Sequence, residues 1–164
     1  MQQRLPQDTA AASFAFAKER NRIMEKRVFG TTNDGTEYHL YSFTNKNNMT
    51  MVLTELGATL VSVLVPDKNG VLRDVVLGYD QPQDYIDHTC YFGTVIGRSG
   101  NRIDKGRFTI NGRTYQMDIN DNENNLHSGN NGYDSRKWDV RSVCEEKNSI
   151  TFGLESPDGD QGFP

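Results

Sequence analysis

The sequence predicts an all-β chain of antiparallel strands, a β-sandwich or barrel. Three observations carry that expectation. From residue 28 onward, short apolar or alternating segments recur between turns rich in Gly, Asn and Asp. Asn111-Gly112 lies between two such segments, the strongest short-range signal of a hairpin. Between residues 28 and 164 no helical pattern exceeds one turn, and neither a Rossmann nor a P-loop glycine pattern occurs.

The elements follow in order. Residues 1–23 read as an extension, helical or disordered, because Ala10-Ala11-Ala12 and the charged run Lys18–Arg22 favour both over strand. Two origins are open, sequence upstream of a start at Met24, which is favoured, or a short native extension. Met24 opens the folded part, 24–164. Tyr38–Phe43 is aromatic-rich and reads as a strand. In Met49–Glu55, Met49, Met51 and Leu53 fall on one face and Thr50, Val52 and Thr54 on the other. Thr59–Val65 is a near-continuous β-branched run, expected to be buried on both faces. Pro66–Gly70 supplies turn chemistry, and Val71–Leu77 returns as a strand. A single helical turn is expected near Pro82–Ile86. Tyr91–Ile96 is apolar and β-prone. Arg107–Ile110 pairs with Arg113–Ile119 across Asn111-Gly112, and Trp138–Cys144 with Ser149–Leu154 across Glu145–Asn148.

Composition narrows the class of function. The 164 residues carry a net charge of −4, which argues weakly against nucleic acid. No apolar run approaches the roughly 20 residues of a membrane span, no basic run after residue 30 suits an anionic membrane, and no signal-peptide pattern opens the chain. Cys90 and Cys144 lack any Cys-x-x-Cys or Cys/His spacing. They read as reduced thiols packed as small hydrophobes, with a disulfide as the alternative. Together these features point to a cytoplasmic protein without membrane or nucleic-acid partners.

Chemistry concentrates between Tyr91 and Trp138. Asn120–Asp134 is unusually polar, a solvated loop in its plainest reading. Within it Leu126 and His127 are flanked by Ser128 and Gly129, small enough for close approach of a ligand. Imidazole and amide groups both donate and accept hydrogen bonds, which suits sugar hydroxyls. Asn101-Arg102 follows Gly97 and Gly100. Arg98 and Arg102 are either surface charges beside a turn or planar forks of donors for oxygen. His39 reads as a half-exposed strand residue and His88 as a loop residue. Neither has a ligand partner at metal spacing, so no metal or cofactor is expected. No serine lies in Gly-x-Ser-x-Gly.

The order Gly97-Arg98, Asn101-Arg102-Ile103, Lys105-Gly106-Arg107-Phe108, Asn125-Leu126-His127-Ser128-Gly129, Gly132-Tyr133-Asp134 and Trp138 resembles the aldose 1-epimerase family, the galactose mutarotases. Gly57–Gly70, Asp74–Asp80 with Tyr85, and Ser156–Pro164 extend the likeness over about residues 26–164. The resemblance implies the N-terminal part of a galactose mutarotase-like supersandwich. It implies an enzyme interconverting the α and β anomers of free hexoses such as galactose and glucose by acid–base ring opening, without cofactor or metal. Asn101, Arg102 and His127 would bind the sugar, and His127 could assist the chemistry. The family's proton-donating histidine and glutamate base have no counterpart in residues 1–164, so the chain is expected to be a fragment, inactive alone. Ser128 stands where glycine is common, and Ser99-Gly100 replaces a more apolar pair. Two alternatives stay open, a non-catalytic carbohydrate-binding domain and a hexose-6-phosphate 1-epimerase using Arg98, Arg102 and Arg107. The oligomeric state is open.

Overall fold

Alternation of side chains sorts the central strands onto two faces. In the computed structural model, which describes residues 8–15, 23–87 and 90–164, the strand β3 (Glu37–Thr44) sends Tyr41 and Phe43 to one side and Tyr38 and Leu40 to the other, all buried. Its neighbour β4 (Thr50–Thr54) adds Met51 and Leu53 to the first side and Val52 to the second, as the period of two requires. With β2 (Ile23–Thr31), β5 (Thr59–Pro66) and β6 (Leu72–Asp74) they form a five-stranded antiparallel sheet in the order β2-β3-β4-β5-β6.

A second, three-stranded sheet closes one face of the first. Its order is β1 (Asp8–Ala15), β12 (Ser149–Ser156), β11 (Asp139–Cys144). Ile150, Phe152 and Leu154 of β12 meet Tyr41, Phe43, Met51 and Leu53, with Tyr133 and Trp138 in the same core. Phe152 stands edge-on to Tyr41 at 6.0 Å between ring centroids. The other face of the large sheet packs Phe29, Tyr38, Leu40 and Leu56 against Tyr85. Tyr85 belongs to the one-and-a-half-turn helix α1 (Pro82–Asp87), opened by a proline at a position where its missing N–H costs nothing. The hairpin of β8 (Arg107–Ile110) and β9 (Arg113–Gln116) turns at Asn111 and Gly112, both with positive φ (51° and 79°). This is the primed turn the Asn-Gly pair favours. A two-residue ladder joins β7 (Arg102–Ile103) to β10 (Asn125–Leu126).

The architecture is the antiparallel all-β one expected, and several local expectations need correction, among them the strand expected over Arg113–Ile119, which ends at Gln116 where the hairpin partner β8 runs out. Residues 8–15 form a strand, not helix or disorder; β1 pairs along its whole length with β12, and Ala10, Ala12 and Phe14 alternate into the core. Burial and pairing outweigh the weak helical preference of the alanines. The rest of the 1–23 extension, residues 1–7 and 16–22, lies outside the described residues, as does His88. Thr59–Val65 is half-buried along most of its length, because its neighbour β6 is only three exposed residues long. The strand expected over Val71–Leu77 shrinks to β6, leaving Val75 and Leu77 exposed. Tyr91–Ile96 is not a strand. Tyr91 and Gly93 take positive φ (54° and 64°), and the segment instead hydrogen-bonds through Gly93 O to Leu60 N and Val95 N to Gly57 O.

Two glycines bring the sheets and the loops together. A Cβ on Gly57 (φ 62°) would stand 2.2 Å from the Asp134 carbonyl oxygen, and one on Gly97 would stand 2.3 Å from the Tyr133 ring. Only a residue without a side chain lets these backbones approach so closely.

Phe43 is completely buried between the sheets. Phe43→Ala is expected to destabilise the chain by about 3–5 kcal/mol through lost burial and the cavity left behind. The urea midpoint should fall with an unchanged slope.

Candidate functional site

The ladder of β7 and β10 sets Leu126 opposite Arg102 and Asn125 opposite Ile103. The next pair outward is Asn101 and His127. The His127 N–H donates to the Asn101 carbonyl at 3.1 Å, and the Asn101 N–H donates to His127 Nδ1 at 2.9 Å. Two residues far apart in sequence are thereby locked face to face. Both have left-handed backbone, φ 62° at Asn101 and 52° at His127, and Ser128 follows at 76°. Such conformations cost about 1–2 kcal/mol for a non-glycine residue and gather where surrounding structure over-determines them.

Arg102 donates through Nε to the Asp121 carboxylate. Neither Nη group has a protein partner among the described residues, so that end of the guanidinium is free to meet an oxygen ligand. Asp121 is itself held in a turn closed against Asn124. The polar run around it is largely self-occupied. Asn120 accepts from Leu126 N–H at 2.7 Å and donates to Leu126 O at 2.9 Å, Asn124 accepts from the Lys105 N–H, and the buried Asn125 donates to Asp118 O. These amides hold backbone in place; they are turn locks rather than free sugar ligands.

Tyr91 stands edge-on to the His127 ring, 4.6 Å between centroids and 74° between planes. Burial pushes its hydroxyl above the ordinary tyrosine range, and the charges of Asp134 and Asp121 add to that. One aromatic ring thus feels both the carboxylate that anchors Arg102 and the one beside His127. Burial likewise raises Asp134, partly offset by its own backbone hydrogen bond and by attraction to His127 and Arg136. Ser128, fully buried, accepts from the Ser99 N–H at 2.8 Å and donates to the Ser99 carbonyl at 3.1 Å, tying the Gly97–Asn101 loop to the Leu126–Gly129 loop. Tyr91, Asp121 and Asp134 escape a reading of the sequence because each belongs to a segment that looks like strand or loop; only the polar run signals two of them.

Arg98 is spent on structure. Its Nε reaches Ser156 Oγ (2.9 Å), Nη1 the Pro164 carbonyl (2.6 Å), and Nη2 the carbonyls of Ser156 and Pro157 (2.8 Å each). Behind it, Arg136 grips Asp160 with both Nη groups at 2.7 Å. These contacts brace the loop that carries Asn101. Arg107 points its Nε at Gln116. A groove of roughly 630 Å³ runs beside the site between Lys105, Arg107, Gln116, Ile119, Asn122 and Glu123. None of the three expected sugar ligands lines it.

The remaining candidates lie elsewhere. His39 is half-buried between Glu55 (3.1 Å) and Glu37 (3.3 Å), away from this cluster. Cys90 and Cys144 are free. Cys90 is exposed rather than packed as a small hydrophobe, and Cys144 is half-buried. No group of three or more His, Cys, Asp and Glu among the described residues could hold a metal ion, and no helix among them is long and apolar enough to cross a membrane.

Comparison with known proteins gives this geometry a context. The family model described as aldose 1-epimerase matches residues 39–164. The chain is 38% identical over 131 residues to the aldose 1-epimerase of Escherichia coli (strain K12), covering 80% of this chain and 37% of that protein. It is 42% identical over 108 residues to the galactose mutarotase of Bos taurus, covering 66% of this chain and 31% of that one. Among solved structures, a GalM/aldose epimerase homologue from C. elegans superimposes with a TM-score of 0.69 at 36% identity, over 74% of this chain and 37% of that one. The chain therefore spans about a third of the length of the curated relatives it matches.

The brace behind the site is pH-sensitive at its acid end. Hydrogen bonds from Arg136, aided by Ser156, pull the Asp160 carboxyl from 3.8 to about 2. Its folded-state value lies below the unfolded one, so the stabilisation is complete above pH 3.8 and is lost as pH falls toward 2. Asp160→Asn is expected to cost about 1–2 kcal/mol at pH 7. Urea titrations should show the parent and variant converging near pH 2.

Proposed function

The chain belongs to the aldose 1-epimerase family, and on that premise we propose that it supplies the sugar-gripping part of an enzyme interconverting the α and β anomers of free hexoses, galactose and glucose. The observation that carries this reading is the adjacency of Asn101, Arg102 and His127 at the end of one two-residue ladder. In the proposed reaction a base takes the proton of the anomeric hydroxyl while an acid protonates the ring oxygen. The C1–ring oxygen bond breaks to an open-chain aldehyde. Rotation about C1–C2 presents the other face, and the same steps run backward to close the ring. The free Nη edge of Arg102 and the imidazole of His127 would hold the oxygens where charge develops, which needs donors set in advance rather than recruited. Asn101 would bind a hydroxyl through its amide.

In this reading the proton-transferring histidine and glutamate lie outside residues 1–164, so the chain alone binds sugar without turning it over. Two free thiols accord with a cytoplasmic setting. The hexose-6-phosphate reading loses support at Arg98, whose Nε and both Nη groups are occupied by Ser156, Pro157 and Pro164 oxygens. A phosphate would want free, clustered forks.

Calorimetric titration with galactose is expected to show binding by the chain. His127→Ala should abolish it, and Arg102→Lys should weaken it about tenfold or more, since lysine lacks the planar fork. A folded chain that ignores galactose overturns the proposal. A polarimetric mutarotation assay separates the two remaining versions: turnover by residues 1–164 would contradict an external acid and base. If a longer protein carrying this chain binds sugar but shows no turnover, it is a binding domain.

A further inference from the structure

We propose that Asn101 is a positioning residue acting through its main chain, its N–H holding His127 as the tautomer with a bare Nδ1 and the proton on Nε2. The inference rests on the reading above, in which His127 meets the sugar. The geometry is specific. A peptide N–H can only donate, so at 2.9 Å the His127 Nδ1 must offer its lone pair. The opposite tautomer would set two hydrogens against each other at that distance. The single proton of the neutral ring then sits on Nε2, which has no protein partner among the described residues. His127 thus offers a sugar oxygen one donor and no acceptor.

The backbone is shaped to make this contact. Asn101 makes this contact with φ 62°, a conformation asparagine tolerates far better than β-branched residues do. The return bond, from the His127 N–H to the Asn101 carbonyl, closes the pair and fixes the separation. Tyr91 presses edge-on against the imidazole and sets the plane in which Nε2 points. The ring is therefore held from two directions, by a hydrogen bond at Nδ1 and by an aromatic edge.

This assigns Asn101 two separable roles, a side-chain amide for a hydroxyl and a main-chain N–H for tautomer choice. It also explains why the neighbouring loops are tied so closely at Ser99 and Ser128: a shift of either loop would lengthen the Asn101–His127 contact.

The test is nitrogen-15 NMR of the imidazole in the sugar-free chain at neutral pH. The expected spectrum shows a bare Nδ1, a protonated Nε2, and a through-hydrogen-bond coupling between the Asn101 amide nitrogen and His127 Nδ1. Asn101→Gly, which also accepts left-handed backbone, should keep this pattern while weakening galactose binding. Asn101→Val, which resists that backbone, should lower the tautomer preference about tenfold or more. A protonated Nδ1 in the parent chain, or a parent ring averaging between tautomers as free histidine does, overturns the proposal whether or not the valine variant folds. So does a parent without the coupling, the result a ring flipped to present Cδ2 would give. The two readings fail separately. A bare Nδ1 in a chain that ignores galactose sinks the sugar reading alone, and galactose binding with a protonated Nδ1 sinks the tautomer alone.

Discussion

The contact on which the site depends is the seating of Gly97 over the Tyr133 ring. Tyr133 is buried, stands edge-on to Trp138 at 5.8 Å, and receives the Trp138 indole N–H at its carbonyl (2.9 Å). Trp138 in turn belongs to the core between the two sheets, with Phe43 and Phe152. The loop bearing Asn101 rests directly on the Tyr133 ring, with no room for a Cβ between. Interiors pack nearly as densely as organic crystals, so this layer fixes the loop's height over the sheet. The position of the site is thus an outcome of core packing.

Upon that base, polar groups finish the positioning. Arg98 gathers the carbonyls of Ser156, Pro157 and Pro164, and Arg136 clamps Asp160, so the segment after β12 becomes a brace. Asparagines of the polar run close turns on their own backbone. Arg102 keeps an open face: Asp121 satisfies its Nε, and its Nη groups have no protein partner among the described residues. A guanidinium divided in this way is oriented without being consumed.

Strain follows the same map. Tyr91, Asn101, His127 and Ser128 all have positive φ, and all lie within one contact of the imidazole. Left-handed non-glycine residues elsewhere, such as Asn111, Asn122 and Asn148, sit in ordinary turns. His127 and Ser128 also fill a turn, closed by the Gly129 N–H on the Leu126 carbonyl, and the ladder and the serine tie hold that turn against Asn101.

Local pattern was enough for the antiparallel strands β3 and β4 with their two faces, the Asn-Gly hairpin, the β11–β12 pair and the turn of helix at Pro82, because alternation and turn chemistry act between near neighbours. The motif order around Asn101, Arg102 and His127 was equally legible, and so was the family. Tertiary structure alone decided the rest. Residues 8–15 become a strand only because the edge of β12 offers partners and the core takes Phe14. Residues 91–96 abandon their β preference because the backbone must turn beneath Leu60 and bring Tyr91 to the imidazole. That Arg98 is structural while Arg102 stays open could not be read from two arginines four residues apart. The difference lies in which carbonyls and carboxylates the folded chain brings within reach of each, and those partners come from 19 to 66 residues away.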